Sequence, residues 1–502
     1  MKWLLLLFAA LVLQQMGNGV YIGSGVTLGI TCGPPGYVCS DHTTNVVNFT
    51  LPIPNVGPNS CNSTSLATLA TCGNATGKGT VVTPGEFAHR IVRLTDASSV
   101  SASVLWQTAD GGINLWNQDS TLVLLKRVGG AHNLMHFNPA TFQPVGLSAV
   151  SLVLGDDFVF SRAVNNRLIS FGGTDGVTIK RIDITPNGNP ALDTSVTATI
   201  KDMGADATCF GASFTATWTG SPSASVDDTS FTIAASASGG QETAYLLGNY
   251  NTTTGQCSLL NTLTGEVTVN GISQGTIGIV DRLYIHAGNQ SPNPAWAVYN
   301  VTNQAHMTAG TYTAGYYFWQ IGTTNVQKCG VSPVPPGFYC DGHGENGYLG
   351  ALRGQHAVYH TYADPSVPLT QNLNVGTFPD QHGSWNNDNL TDTMPIMMAT
   401  ADTTGSINFL GTLPGPFIQE IVLIPLNGTG IPSRECHTYS TGLHDAFEIQ
   451  NTIASISQDG RFALFPSEWM GTLGARNGSA SCTMGATDLT ECRSDDFVCE
   501  LQ

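Results

Sequence analysis

From Gly85 onward the chain alternates between short apolar runs and polar, turn-forming stretches. SVLWQT (103–108), STLVLLKR (120–127), DDFVFSR (156–162), RLISFGG (167–173) and VTIKRIDI (177–184) begin the series. TAYLLGNY (243–250), GEVTVN (265–270), AWAVYNV (295–301), YYFWQIG (316–322) and EIVLIPL (420–426) continue it. The runs are rich in Val, Ile, Leu and aromatics and return about every ten residues, the spacing of all-β sandwiches, barrels and propellers. No long stretch carries the Ala, Leu, Glu and Lys mixture of helices. The pattern predicts an all-β fold.

A slower rhythm lies over this one. DGGINLWNQDSTLVLLKR, DDFVFSRAVNNRLISFGGTDGVTIKRIDI and ETAYLLGNYNTTTGQCSLLNTLTGEVTVN share one cadence of strand, turn and strand. NTIASISQDGRFALFPSEW (451–469) states it most clearly. There Asp459-Gly460 predicts a tight turn with Gly at positive φ, and Ile456, Phe462 and Leu464 should pack between repeats. The motif Ser457-Gln458-Asp459-Gly460-Arg461 resembles the SPDG-type blade signature of TolB-like β-propellers. The resemblance covers one blade closely and the others in rhythm only. It implies a single propeller over 85–474, seven-bladed with eight as the other count, since blades of about 45–60 residues fill that span. A strand near Ile91 should complete the last blade and leave no free edge. A pair of sandwiches would want a linker near the middle, and a β-helix a shorter repeat.

Composition adds the compartment. The opening MKWLLLLFAALVL has one Lys and an apolar run of signal-peptide length, too short to span a bilayer. The chain divides into a leader (1–19), a Cys-rich extension (20–84), the propeller (85–474) and a Cys-containing tail (475–502). Its address is extracellular or periplasmic. Of 12 cysteines, Cys32/Cys39, Cys329/Cys340 and Cys492/Cys499 are close in sequence and are the expected disulfides. Charged residues are only 11% of the chain, and the net charge of −17 leaves no basic face for nucleic acid or anionic lipid. No run is long enough for a transmembrane helix.

Chemistry concentrates between Cys340 and Pro395, which holds His343, His356, His360 and His382, four of the chain's 12 histidines. The glycine-rich GHGENGYLG (342–350) and the Asn-rich QHGSWNNDNLTDTMP (381–395) read as loops. In a propeller such loops gather around the central channel. His343, His382 and His437 are the candidate ligands of a divalent ion such as Mn, Zn or Ca. Asp380, Trp385, Asp392 and His444 are candidate binding residues, with Trp385 also suited to a core plug. His132 and His136 stand four apart, but no helix is expected there and no Glu intervenes, so an HExxH reading fails. No P-loop, dinucleotide fingerprint or Gly-x-Ser-x-Gly is present.

Two functions follow. The first is a secreted binding or scaffold propeller that presents its central face or rim to a carbohydrate or surface ligand. The second is a metal-assisted polysaccharide lyase. The Ser-x-Asp-Gly blade and the His/Asp-rich loops are similar in kind to those of oligogalacturonate lyases. That resemblance implies His343 and His382 as proton-transfer groups and Arg353 as the cation on the developing enediolate.

Overall fold

The computed structural model describes residues 77–82, 89–99, 106–107, 113–127, 131–154, 156–172, 177–210, 223–235, 246–277, 294–301, 315–328, 338–343, 347–352, 356–361, 380–387, 394–401, 420–424, 433–438, 440, 453–469, 473 and 493–501. Among them there is no α-helix, and the strands form seven antiparallel sheets. Sheet I holds Trp106–Gln107, Leu122–Arg127, His132–Asn138 and Gln143–Leu147. Sheet II holds Asp157–Phe160, Arg167–Gly172, Thr178–Thr185 and Thr194–Asp202. Sheet III runs through Ser223–Ala224, Ser230–Ala235, Leu246–Asn251, Gln256–Asn261, Glu266–Val269 and Ile272–Thr276. Sheet IV is Trp296–Val301, Gly315–Gln320 and Val326–Lys328; sheet V is Phe338–His343, Gly347–Leu352 and His356–Thr361. Sheet VI is Asp380–Ser384, Ile396–Ala401, Glu420–Ile424 and Ser433–His437. In all six, neighbours in space are neighbours in sequence.

Sheet VII is the exception. Its order is Val81–Val82, Ile91–Arg93, Asp495–Glu500, Phe462–Ser467 and Ser455–Ile456. The strand expected near Ile91 therefore pairs with the chain's last strand. Asp495–Glu500, read from sequence as part of a tail, lies inside the sheet, and Val81–Val82 adds an outer strand from the segment read as an extension. Both segments are short, and their cysteines and turns mask their strand pattern.

Inner strands of sheets III and VII carry apolar residues on both faces because each face meets a different neighbour. In Ser230–Ala235, Phe231, Ile233 and Ala235 pack with sheet II, while Ala234 packs with Tyr299 and Trp319 of sheet IV. In Phe462–Ser467, Phe462 and Leu464 join sheet I, while Ala463 and Phe465 join Met397, Ile421 and Leu423 of sheet VI. This is period-two alternation with two cores in place of one core and solvent. Aromatic rings mark the seam between sheets VII and I. Phe462 lies 5.3 Å from Phe137 and 6.0 Å from Trp116, ring centre to ring centre. Such pairs add about 0.5–1.5 kcal/mol beyond their buried area. Phe338–His343 of sheet V lies near Gly315–Gln320 of sheet IV and Asp380–Ser384 of sheet VI.

Two disulfides join described cysteines, Cys209–Cys257 and Cys436–Cys499. The expected Cys492–Cys499 pair gives way to the second. Cys499 faces the same core as Cys436 of sheet VI, and their Cα atoms are 6.6 Å apart. Sequence proximity cannot see that partner, which is 63 residues away. Cys32, Cys39, Cys329 and Cys492 lie outside the described residues; Cys340 lies in strand Phe338–His343.

Candidate functional site

Among the described residues the same turn, Ser-x-Asp or Asn-x-Asp, occurs three times. Asn117-Gln118-Asp119-Ser120-Thr121 and Ser225-Val226-Asp227-Asp228-Thr229 repeat the geometry of Ser457-Gln458-Asp459-Gly460-Arg461. In each, the first side chain accepts the N–H five residues on: Leu122 to Asn117 at 2.8 Å, Ser230 to Ser225 at 2.9 Å and Phe462 to Ser457 at 3.0 Å. In each, the Asp carboxylate accepts the N–H two residues on, at 3.2, 3.1 and 3.1 Å. The fourth residue takes positive φ: Ser120 59°, Asp228 57° and Gly460 72°. The side chains do the work of a backbone turn, so only one of the three sites needs Gly.

These turns lead into Leu122–Arg127 of sheet I, Ser230–Ala235 of sheet III and Phe462–Ser467 of sheet VII from the edge strands that pair with them, called first strands below: the segment through Trp116, Ser223–Ala224 and Ser455–Ile456. Those turns, with the corresponding segments of sheets II and VI, meet at one place. Asn386 after the first strand of sheet VI donates to the Ile113 carbonyl of sheet I at 3.0 Å and to Ser384 Oγ at 3.1 Å, and it accepts from the Arg162 guanidinium of sheet II. Gln458 of sheet VII donates to the Ser161 carbonyl of sheet II at 3.2 Å. Ser455 Oγ donates to the Ile113 carbonyl at 2.9 Å, and Trp116 Nε1–H donates to the Ser455 carbonyl at 3.2 Å. Asn114 Nδ2 donates to the Phe160 carbonyl of sheet II at 3.0 Å, and Ser161 Oγ donates to Asp228 of sheet III at 2.7 Å. Five sheets are thus tied together at the ends of their first strands.

The deeper members of this junction are buried and hydrogen-bonded. Towards solvent stand Asp119, exposed, and Gln118, Arg162 and Asn165, half-buried. Asn165 Nδ2 donates to Asp119 Oδ2 at 3.0 Å. Burial pushes the Asp119 carboxyl up, but hydrogen bonds from Thr121, Asn165 and Asn117 outweigh it and hold it below the ordinary range. Asp228 goes the other way: burial raises it against the opposing Ser161 hydrogen bond and the Arg167 charge. One edge of the junction therefore carries an ionised carboxylate and a guanidinium among amides. Such a surface can hold a polar ligand by donors and acceptors together.

The residues nominated from sequence fare differently. Trp385 is 1% exposed, and its Nε1–H donates to the Met394 carbonyl at 2.9 Å, so it plugs the core and offers no face to a ligand. His437 is buried on the last strand of sheet VI, opposite Glu420. His382 is on the first strand of that sheet, opposite Ala399, and Asp380 begins the same strand. Two strands intervene between His382 and His437, roughly 14 Å at the usual strand spacing. His343 ends the first strand of sheet V, opposite Tyr348. The stretches 342–350 and 381–384, read as loops, largely form strands; glycines hid the alternation. Arg353, Asp392 and His444 lie outside the described residues. Among the described residues no group of three His, Cys, Asp or Glu is placed to hold a metal ion. Sequence reasoning passed over Arg162, Asn386 and Gln458. The thrice-repeated turn was the signal that could have led to two of the five segments beside Gln458.

No family model matches the chain, and no curated protein matches it. Among solved structures it is similar to an oligogalacturonate lyase from Vibrio parahaemolyticus, with TM-score 0.47 and 11% identity over 85% of this chain and 99% of that one. An oligogalacturonate lyase in complex with manganese gives TM-score 0.49 and 11% identity, with the same coverage of 85% and 99%. The dihydro-heme d1 dehydrogenase NirN in complex with DHE gives 0.38 and 9%, over 75% of this chain and 73% of that one. At these scores and identities nothing about substrate or metal passes from them to this chain.

Proposed function

We propose that the chain is a secreted seven-bladed β-propeller that binds a polar, hydroxyl-rich ligand of carbohydrate type at the junction of its first strands. The observation that carries this reading is Asn386. It reaches sheet I and sheet II from sheet VI, while Gln458 reaches sheet II from sheet VII. First strands that touch sheets other than their immediate neighbours are converging on an axis, as the inner strands of a propeller do. Each of the seven sheets also packs against the next in sequence, and the seventh against the first. The surface edge of the junction is amide-rich, with the Arg162 guanidinium and the Asp119 carboxylate among Gln118 and Asn165. Sugar hydroxyls, which both donate and accept, match such a lining. The acidic net charge favours neutral sugars over polyuronates.

A glycan array probed with the purified chain tests the reading. The expected result is a defined set of bound glycans, with Arg162→Ala weakening binding about tenfold, the loss of one charged hydrogen bond. Thermal melting must show that the variant still folds. Undiminished binding by a folded Arg162→Ala would place the ligand elsewhere.

A further inference from the structure

We propose a second binding site, for an uncharged oligosaccharide, in the groove between the outer strands of sheet III and the turn that follows Gly315–Gln320 in sheet IV. The groove has a volume of about 570 Å³, inside the roughly 300–1,000 Å³ range of small-ligand sites. Its lining contains no charged side chain. Asn251, Gln256, Asn270, Gln274, Gln320 and Thr323 supply amides and hydroxyls, with Val269 and Ile321 as apolar patches between them. Amides and hydroxyls both donate and accept, as a polyol's hydroxyls do. A phosphate or carboxylate would find no cation there. A hydrocarbon would strip water from too many polar groups.

The walls are built before any ligand arrives. Asn270-Gly271 forms the hairpin turn between Glu266–Val269 and Ile272–Thr276, with φ of 48° and 75°. Asn270 is pinned to Cys257, accepting its N–H through Oδ1 at 2.8 Å and donating its own N–H to the Cys257 carbonyl at 2.7 Å. Cys257 is in turn bonded to Cys209. On the facing wall Trp319 Nε1–H donates to the Thr323 carbonyl at 2.8 Å and Thr323 N–H to the Gln320 carbonyl at 3.0 Å. The walls touch at Gly322, where an added Cβ would stand 3.2 Å from Ser258 Oγ and from Val269 Cγ2. Two rigid walls joined at their base lower the ordering cost of binding.

The test is calorimetric titration of the full chain with neutral xylo-, cello- and malto-oligosaccharides and with an oligogalacturonate as the charged comparator. Hydrogen exchange on the same samples locates the contact. The expected result is binding of at least one neutral series, weakened about tenfold or more by Gln256→Trp, which narrows the mouth, and by Gln320→Ala. Protection should appear at 266–276 and 320–323. Both variants must keep the parent melting temperature within a few degrees. No neutral binding at millimolar ligand overturns the site. So does oligogalacturonate binding as tightly, full-strength binding by both folded variants, or protection confined to 113–121 and 161–167.

Discussion

Asp496 is the least comfortable side chain in the described residues. It is fully buried, and neither carboxylate oxygen has a hydrogen-bond partner, although its backbone N–H donates to Thr95 Oγ1 at 3.0 Å. Its neighbour Asp495 has the cations: Arg93, and Arg493 at 2.7 Å. Burial first, then the Asp495 charge, drives the Asp496 carboxyl well above its usual range, so the folded state favours its neutral form. The native state thus holds a proton that the unfolded chain releases near pH 4. Stability from this group is complete below that pH and is lost as pH rises towards the folded-state value. Asp496→Asn should match the parent at about pH 4 and exceed it increasingly above, by on the order of 1–3 kcal/mol. Urea midpoints between acid and mildly alkaline pH measure this, and parallel curves would refute it. At this scale the sequence is poorly legible. Asp495-Asp496 looks like a solvated pair in a Cys-containing tail, because nothing local shows that Arg93 lies across the strand from it. Trp385 was ambiguous for the same reason: an indole beside three polar residues suits a sugar platform or a plug until its surroundings are known.

At the level of elements, strands with strong apolar runs were readable and those broken by glycine were not. Leu122–Arg127, Arg167–Gly172, Thr178–Thr185 and Glu420–Ile424 stand where the pattern put them. Most of 342–350 and 381–384 lies in Phe338–His343, Gly347–Leu352 and Asp380–Ser384 although the sequence reads as loops, because cross-strand pairing tolerates Gly and His that look turn-like alone. Turns show the reverse. Gly460 made one Ser-x-Asp turn conspicuous, while Ser120 and Asp228 at the same positive φ concealed the others. Pairing between elements is invisible to local reading, and the Cys436–Cys499 bridge is the sharpest case. It ties sheet VI to sheet VII across 63 residues. Peptide mapping without reductant should recover a fragment linking Cys436 to Cys499. Cys436→Ser should cost about 2–4 kcal/mol, the usual worth of a native bridge. Recovery of Cys492 linked to Cys499 would show that the short-range pairing holds after all.

For the molecule as a whole, the decisive feature is how the two ends of the described chain are spliced. Ile91–Arg93 pairs with Asp495–Glu500, so sheet VII is half built by the beginning of the chain and half by its end. The splice is dense. Leu94 N–H donates to the Asp496 carbonyl at 2.8 Å, Glu500 N–H to the Arg90 carbonyl at 2.9 Å and Leu501 N–H to the Arg461 carbonyl at 2.7 Å. The Arg90 guanidinium holds Glu500 and lies 4.7 Å from the centre of the Phe142 ring, which belongs to sheet I. Residues 495–500 therefore do for the array what a clasp does for a belt, and removing them exposes two strand edges at once. A chain ending at Ser494 should lose its cooperative melt entirely, although it lacks under a tenth of the sequence, because Phe462–Ser467 and Ile91–Arg93 both lose the strand that joins them. Adding a synthetic peptide of residues 493–502 in excess should restore the melt by strand addition. A truncated chain that melts like the parent would mean that the seven sheets stand without the splice, and the ring proposed here would have no closing contact that matters.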